Sequence, residues 1–329
     1  NRLWRSWKAQ QCHEVTVRPL PQDSFPGTIV ETADYVYYRL LLPFADVVCF
    51  FADDLGGIDR VVCRLAAWLD KGPASATEVR PWLLVVVGDG AEEELLASFW
   101  DLVSAETSID VRDRFRGVRV VSLSAQRRGV GRRQRHAKGP WDGVRDEVLR
   151  ASDLTQRARR GSSSLFSARH LAAFLQHAAE NVPDTLRAPF DFIRASRVWN
   201  PVAPDLEMHL ANFLRGFRSP EAIKDVAVPV VASSLILDQY PPGMHPFEPR
   251  HVFGVLYREA CCRAASALCD QGSSRLILPS GFVRRVESEM AKQFRAYLLG
   301  KSSADLHRQV LARFRNEWTS LHSDDTCFC

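Results

Sequence analysis

Six apolar residues in an unbroken row, Trp82-Leu83-Leu84-Val85-Val86-Val87, followed at once by Gly88-Asp89-Gly90, constrain this chain more than any other feature. A run of that length, rich in β-branched residues, predicts a strand buried on both faces, and such strands belong to parallel sheets covered by helices. Asp46 to Ala52 has the same character and ends in the turn Asp53-Asp54-Leu55-Gly56-Gly57; Val118 to Leu123 supplies a third strand. Between them, Ile58, Val61, Val62, Leu65, Trp68 and Leu69 recur at helical spacing up to Gly72-Pro73, and Leu95, Leu96, Phe99, Trp100 and Val103 do the same. Strand, helix, strand, helix, strand with short glycine-rich turns predicts an α/β domain with a mostly parallel, doubly wound sheet. Upstream, Glu14 to Arg18 reads as an edge strand and residues 31–43 as a short helix stopped by Pro43.

Beyond the third strand the period changes. Residues 124–164 lack periodicity and read as a loop or linker, with Gly161-Ser162-Ser163-Ser164 at its end. From there the pattern is helical throughout. Leu171, Phe174, Leu175 and Ala178 form one stripe, and Leu206, Leu210, Phe213, Leu214 and Phe217 another. Val226 to Leu237 is apolar nearly all round, which predicts a buried central helix. Val252, Phe253, Leu256 and Ala260 follow, then Phe282, Val283, Val286, Met290, Phe294, Tyr297 and Leu298, and a last stripe from Leu306 to Leu321. The chain thus divides into an α/β nucleotide-binding-like domain over 1–160, a helical domain over 161–323 and the start of a Cys-rich segment over 324–329.

Composition excludes several classes. With 46% hydrophobic and 25% charged residues, the chain is neither disordered nor fibrous. No apolar run reaches the roughly 18 residues of a spanning helix. The net charge of +4, from 43 basic and 39 acidic residues, is too balanced to demand a polyanionic partner. The stretch 112–138 holds ten Arg or Lys and one Asp, but Phe115 is its one interleaved aromatic. Moreover 37 of the 43 basic residues are Arg, as a GC-rich genome would produce, so a solvated loop is favoured there over a nucleic-acid surface. Eight Cys are no disulfide framework, and Cys49 and Cys63, in apolar segments, read as small core residues. An intracellular, cytoplasmic location follows as the expectation. The chain opens on Asn1 without Met and closes on Cys327-Phe328-Cys329, so both ends read as cut.

The turn Asp53-Asp54-Leu55-Gly56-Gly57 is the leading candidate site. It lies at the carboxyl end of a strand, where open α/β sheets place ligands. Asp53 and Asp54 suit a divalent cation, and Gly56 and Gly57 allow close approach of a phosphate-bearing ligand, so a nucleotide with Mg²⁺ is the cofactor it would take. The structural alternative is that Asp53 or Asp54 caps the next helix and the glycines shape the turn. The Asp53-x-x-Gly56 spacing and Ser124-Ala125 after the third strand resemble strand-end motifs of P-loop GTPases. No G-x-x-x-x-G-K-[ST] occurs: Gly300-Lys301-Ser302 has Arg295 where the first glycine belongs, and Gly88-Asp89-Gly90 replaces the expected N-K-x-D.

Other chemistry is sparser. No G-x-S-x-G nucleophile elbow is present. Asp89-Gly90-Ala91 matches the Asp segment of a Ser–Asp lipase but has no serine partner in the sequence pattern. His170 and His177 share a helix face with Phe174 between them and read as core-edge histidines. Cys261-Cys262 and Cys269 lack zinc spacing, whereas Cys327 and Cys329 could open a zinc site whose remaining ligands lie past the terminus.

Several long stretches carry a resemblance. Tyr38 to Phe51, Asp54 to Gly57, Leu65 to Leu69, Pro189 to Ile193, Asn200 to Leu206, and Leu311 to Phe314 through Asp325 to Cys329 resemble the N-terminal region of large fungal patatin-like phospholipases. The resemblance implies a divergent P-loop-type α/β domain and a helical segment, then a RING-like zinc module and a patatin acyl-hydrolase domain with a Ser–Asp dyad. It implies no catalytic residue in this chain, passes a zinc role only to Cys327 and Cys329, and makes the downstream zinc module and catalytic domain the partners. The expected function is a non-catalytic regulatory or scaffolding region of a lipid acyl hydrolase; a nucleotide-binding switch is the alternative.

Overall fold

The computed structural model describes residues 28–124, 139, 141–240, 244–268 and 278–298. The expected strand at 14–18, most of the basic stretch and the last stripe from Leu306 lie outside them.

Helix α1 opens on a capping box. The Thr28 amide donates to Glu31 Oε2 (2.7 Å), and the Glu31 amide donates to Thr28 Oγ1 (3.3 Å). The helix runs over Ile29–Tyr35, widens into a π-segment at Val36–Leu41 and ends in a 3₁₀ turn, Leu42–Phe44, at Pro43. Three parallel strands follow, β1 (Val47–Phe51), β2 (Trp82–Val87) and β3 (Gly117–Ser122), in the order β1-β2-β3. Between them run the turn α2 (Ala52–Leu55), helix α3 (Ile58–Leu69) and helix α4 (Glu92–Glu106).

The pleat sorts side chains by parity. Phe50, Leu83, Val85, Val87, Val118 and Val120 face α3 and α4, joining Val61, Leu65, Trp68, Leu69, Phe99 and Val103 in one core. Leu84, Val86 and Val121 face the other way, with Cys49 and Val47 beside them. Of the three strands only β2 is buried along nearly its whole length. β1 is half-buried and Phe51 is exposed, because it forms an edge of the described sheet; the expectation that β1 is buried on both faces is corrected. The parallel α/β class stands. The described strands follow chain order, so the reversal that defines double winding is not among them.

The largest difference from expectation lies after β3. Residues 142–161, read as loop or linker, form a twenty-residue helix, α5 (Asp142–Gly161). Val144 packs on Leu84, Val86 and Val121, and Val148, Ala151 and Thr155 continue the stripe toward β1. The stripe escaped the periodicity reading because Thr155 and Arg159 hold core-facing positions as polar residues with partners. Thr155 donates to the Asp46 carbonyl (3.2 Å), and Arg159 Nε pairs with Asp46 Oδ1 (2.8 Å).

The remaining helices enclose a second core. They are α6 (Ala168–Glu180), α7 (Val182–Arg187), α8 (Phe192–Ser196), α9 (Leu206–Arg215), α10 (220–239, with a π-segment Ile223–Ala227), α11 (249–268, with a π-segment Phe253–Tyr257) and α12 (Pro279–Leu298). The α10 segment is buried nearly all round, as its composition requires, and packs along α12 through Val231, Leu235, Val286 and Met290. On α6, Phe174 and Ala178 are buried while Leu171 and Leu175 are partly exposed, which narrows the predicted stripe. Leu40 and Phe44 from α1 pack against this second core. A backbone bridge also ties the two halves: Phe190 N donates to Ala74 O and Ala76 N to Phe190 O, both at 3.0 Å. Among the described residues no helix is long and apolar enough to cross a membrane.

Candidate functional site

The carboxyl ends of β1, β2 and β3 gather the side chains that the sequence singles out. After β1, the amides of Gly56 and Gly57 turn back onto the α2 carbonyls, Gly56 to Asp53 O (3.3 Å) and Gly57 to Ala52 O (2.8 Å). Gly56 and Gly57 have φ of +96° and +116°, and a Cβ on Gly57 would lie 2.6 Å from Asp59 Oδ1. Only glycine fits this double reversal, so the two glycines have a structural reason independent of any ligand. The capping expectation is corrected: Gly57 itself holds the N-cap position of α3, without a side-chain cap, and Asp53 and Asp54 sit in the first turn of α2.

Asp53 and Asp54 are exposed at the sheet edge. The Asp53 carboxylate leans over Gly88, at the end of the neighbouring strand, so closely that a Cβ there would collide with Oδ2. A side chain at position 88 would have to displace this exposed carboxylate. Among the described residues no group of three or more His, Cys, Asp or Glu is placed to hold a metal ion. The Asp53–Asp54 pair fits Mg²⁺ only as one side of its shell, with phosphate oxygens and water filling the rest.

The end of β2 was read as a bare turn, and the structure gives it a partner. Val87 and Ser122 are register mates, so two residues on, Asp89 and Ser124 also meet across the strand ends. Ser124 Oγ donates to Asp89 Oδ1, which also accepts the Gly90 amide (2.8 Å). The missing serine of Asp89-Gly90-Ala91 is therefore supplied in space, at an offset of 35 residues that the parallel register fixes. Beside it, Glu92 Oε1 accepts the Ser122 amide (2.9 Å), and Ser122 and Ser124 share a hydroxyl contact (3.1 Å). Glu92, Glu93 and Glu94 all stand in the first turn of α4. Glu92 thus spends its carboxylate on the Ser122 amide, and the negative charge of this turn offsets the positive end of the helix dipole.

Other sequence candidates resolve as structure. Ser162 and Ser164 share a hydroxyl contact (2.8 Å) and point back at the Arg159 carbonyl, closing α5. Ser163 has φ +52°, and its carbonyl accepts from His245 Nε2 (2.7 Å). His245 sits among Phe166, Phe247 and His170, and burial lowers its pKa. His177 lies against Phe190 and Asn181, at the core edge as expected. Cys261 is buried, while Cys63 is exposed, which corrects its reading as a core residue, and Cys49 is half-buried. Cys327 and Cys329 lie outside the described residues. Of the basic stretch, Arg119 pairs with Glu147 (3.4 Å) and Arg112 lies over the Trp100 ring (5.5 Å), on different sides of β3.

No family model matches the chain, and neither a curated protein nor a solved structure matches it.

Proposed function

We propose that the chain is a non-catalytic platform, a regulatory or scaffolding region of a patatin-like acyl hydrolase whose zinc module and Ser–Asp catalytic domain follow Cys329. The supporting observation is how the strand-end side chains are used. Asp89 fastens Ser124, and Glu92, in the first turn of α4, fastens the Ser122 amide. These groups knit the loop after β2 to the loop after β3, and the welded halves form a body against which a further domain can be positioned. The test uses a longer polypeptide that continues past Cys329. Its phospholipid hydrolysis is compared with that of the same polypeptide lacking residues 1–323. The platform reading expects a changed rate or changed activation; identical kinetics would remove it.

A second reading keeps the divergent P-loop-like α/β domain as a nucleotide-binding switch. It is favoured by the Asp53 carboxylate standing over Gly88 at the meeting point of two parallel strand ends. There, Asp53 and Asp54 would hold one side of an Mg²⁺ shell and nucleotide phosphates the other, beside the Gly56-Gly57 turn. Titration of GTP and ATP with Mg²⁺ decides it: binding lost in Asp53→Asn supports the switch, and no binding removes it.

A further inference from the structure

The opposite end of the sheet has the opposite charge. Arg80 stands two residues before β2 and Arg116 immediately before β3, so both lie at the amino ends of the strands, away from Asp53 and Asp89. There the α/β half meets the carboxyl end of α5 and the amino end of α11 across an open cleft of about 710 Å³. Arg80, Arg112, Arg116 and Arg250 line it, with Glu78, Glu248 and His251. Two of the four guanidiniums are held in place: Arg80 donates to the Arg112 carbonyl, and Arg112 lies over Trp100. The two acids of the lining make no ion pair with any of the four. Glu248 Oε2 caps α11 by accepting the His251 amide (2.9 Å), and Glu78 is 81% exposed with His251 Nε2 at 3.9 Å. None of the four arginines pairs with a carboxylate among the described residues, whereas Arg64, Arg159, Arg197, Arg258 and Arg263 all do.

We propose that this cleft is a binding site for a polyphosphorylated anion. Four guanidiniums against two carboxylates leave the cavity with an excess of positive charge, and a ligand that brings several negative charges balances it best. Arginine forks match phosphate oxygens in pairs, which favours phosphate over a single carboxylate. The volume suits a small molecule or a lipid headgroup. Because the cleft joins the strand starts to α11, an occupant would also brace the α/β half against the helical half.

The test titrates the 329-residue chain with inositol hexakisphosphate, with pyrophosphate, and with phosphatidylcholine vesicles containing phosphatidylinositol bisphosphate, at low and high salt. Arg116→Gln/Arg250→Gln is the test variant; both side chains are exposed, and circular dichroism checks its fold. Arg284→Gln/Arg285→Gln on α12 removes the same charge elsewhere. Binding that raises Tm, weakens with salt, falls at least tenfold in the test variant and persists in the control supports the site. Affinity for the soluble anions identifies a free ligand, and affinity for vesicles alone a headgroup. No binding to any probe, or equal loss in both variants, would overturn it.

Discussion

Arg159 Nε lies 2.8 Å from Asp46 Oδ1, and the same guanidinium donates to the Ala45 carbonyl at 3.0 Å. One side chain thus ties the last turn of α5 to the residues that lead into β1. Asp46 is further held by Ser152 Oγ (3.3 Å) and its carbonyl by Thr155. Removing Arg159 leaves the Asp46 carboxylate, about a quarter exposed, without its cation and its strongest hydrogen-bond donor. Arg159→Ala is expected to lower the unfolding free energy by about 1–2 kcal/mol, less than for a fully buried pair because water still reaches Asp46. Urea titration measures this, and a cycle with Asp46→Asn separates the pair from its neighbours.

Two glycines should respond with opposite signs. Gly57 has φ +116° and no space for a Cβ beside Asp59, so Gly57→Ala should destabilise by more than about 1 kcal/mol. Gly254 lies inside α11 with nothing within 4 Å of a built Cβ. Gly254→Ala should stabilise by about 0.5–1 kcal/mol through the unfolded chain. Paired thermal melts read both.

Cysteine reactivity should divide by burial. The Cys261 thiol is pushed up to about 12 by burial, with Cys262 adding in the same direction, so it holds almost no thiolate at pH 8. Cys63 and Cys262 are exposed. Alkylation followed by peptide mapping is expected to label Cys63 and Cys262 in the folded chain and Cys261 only after unfolding.

Stability should fall below neutral pH through His245. Burial lowers its pKa, the nearby His170 adds to that, and the Ser163 carbonyl opposes it. In the unfolded chain the imidazole takes a proton near pH 6.5 while the folded chain still refuses it. The stabilising difference is therefore full above that value and declines as pH drops toward the folded pKa, by no more than about 1.4 kcal/mol per pH unit. His245→Phe is expected to flatten this limb of a stability–pH curve.

Much of the α/β half was legible because β2 has no polar interruption and α3 keeps its apolar residues on one side. The same reasoning misjudged β1, since an apolar run states what a strand is made of and not how many neighbours it has. It lost α5 because a helix on a small sheet face needs few apolar residues, and Thr155 and Arg159 meet burial with hydrogen bonds. At the site, the glycine turn was readable from Gly56-Gly57. The Asp89–Ser124 contact was not, because it depends on strand register, which no local motif encodes. The basic cleft was hidden for a like reason: Arg80, Arg116 and Arg250 come from three distant segments.

The sharpest test concerns Ser124 and Asp89, which meet at the carboxyl ends of β2 and β3. The purified chain is treated with a serine-directed fluorophosphonate and assayed for fatty-acid release from phospholipid vesicles. If these side chains serve as fasteners, Ser124 stays unlabelled and no fatty acid is released. Labelling of Ser124 with turnover that disappears in Ser124→Ala and Asp89→Asn would contradict the account.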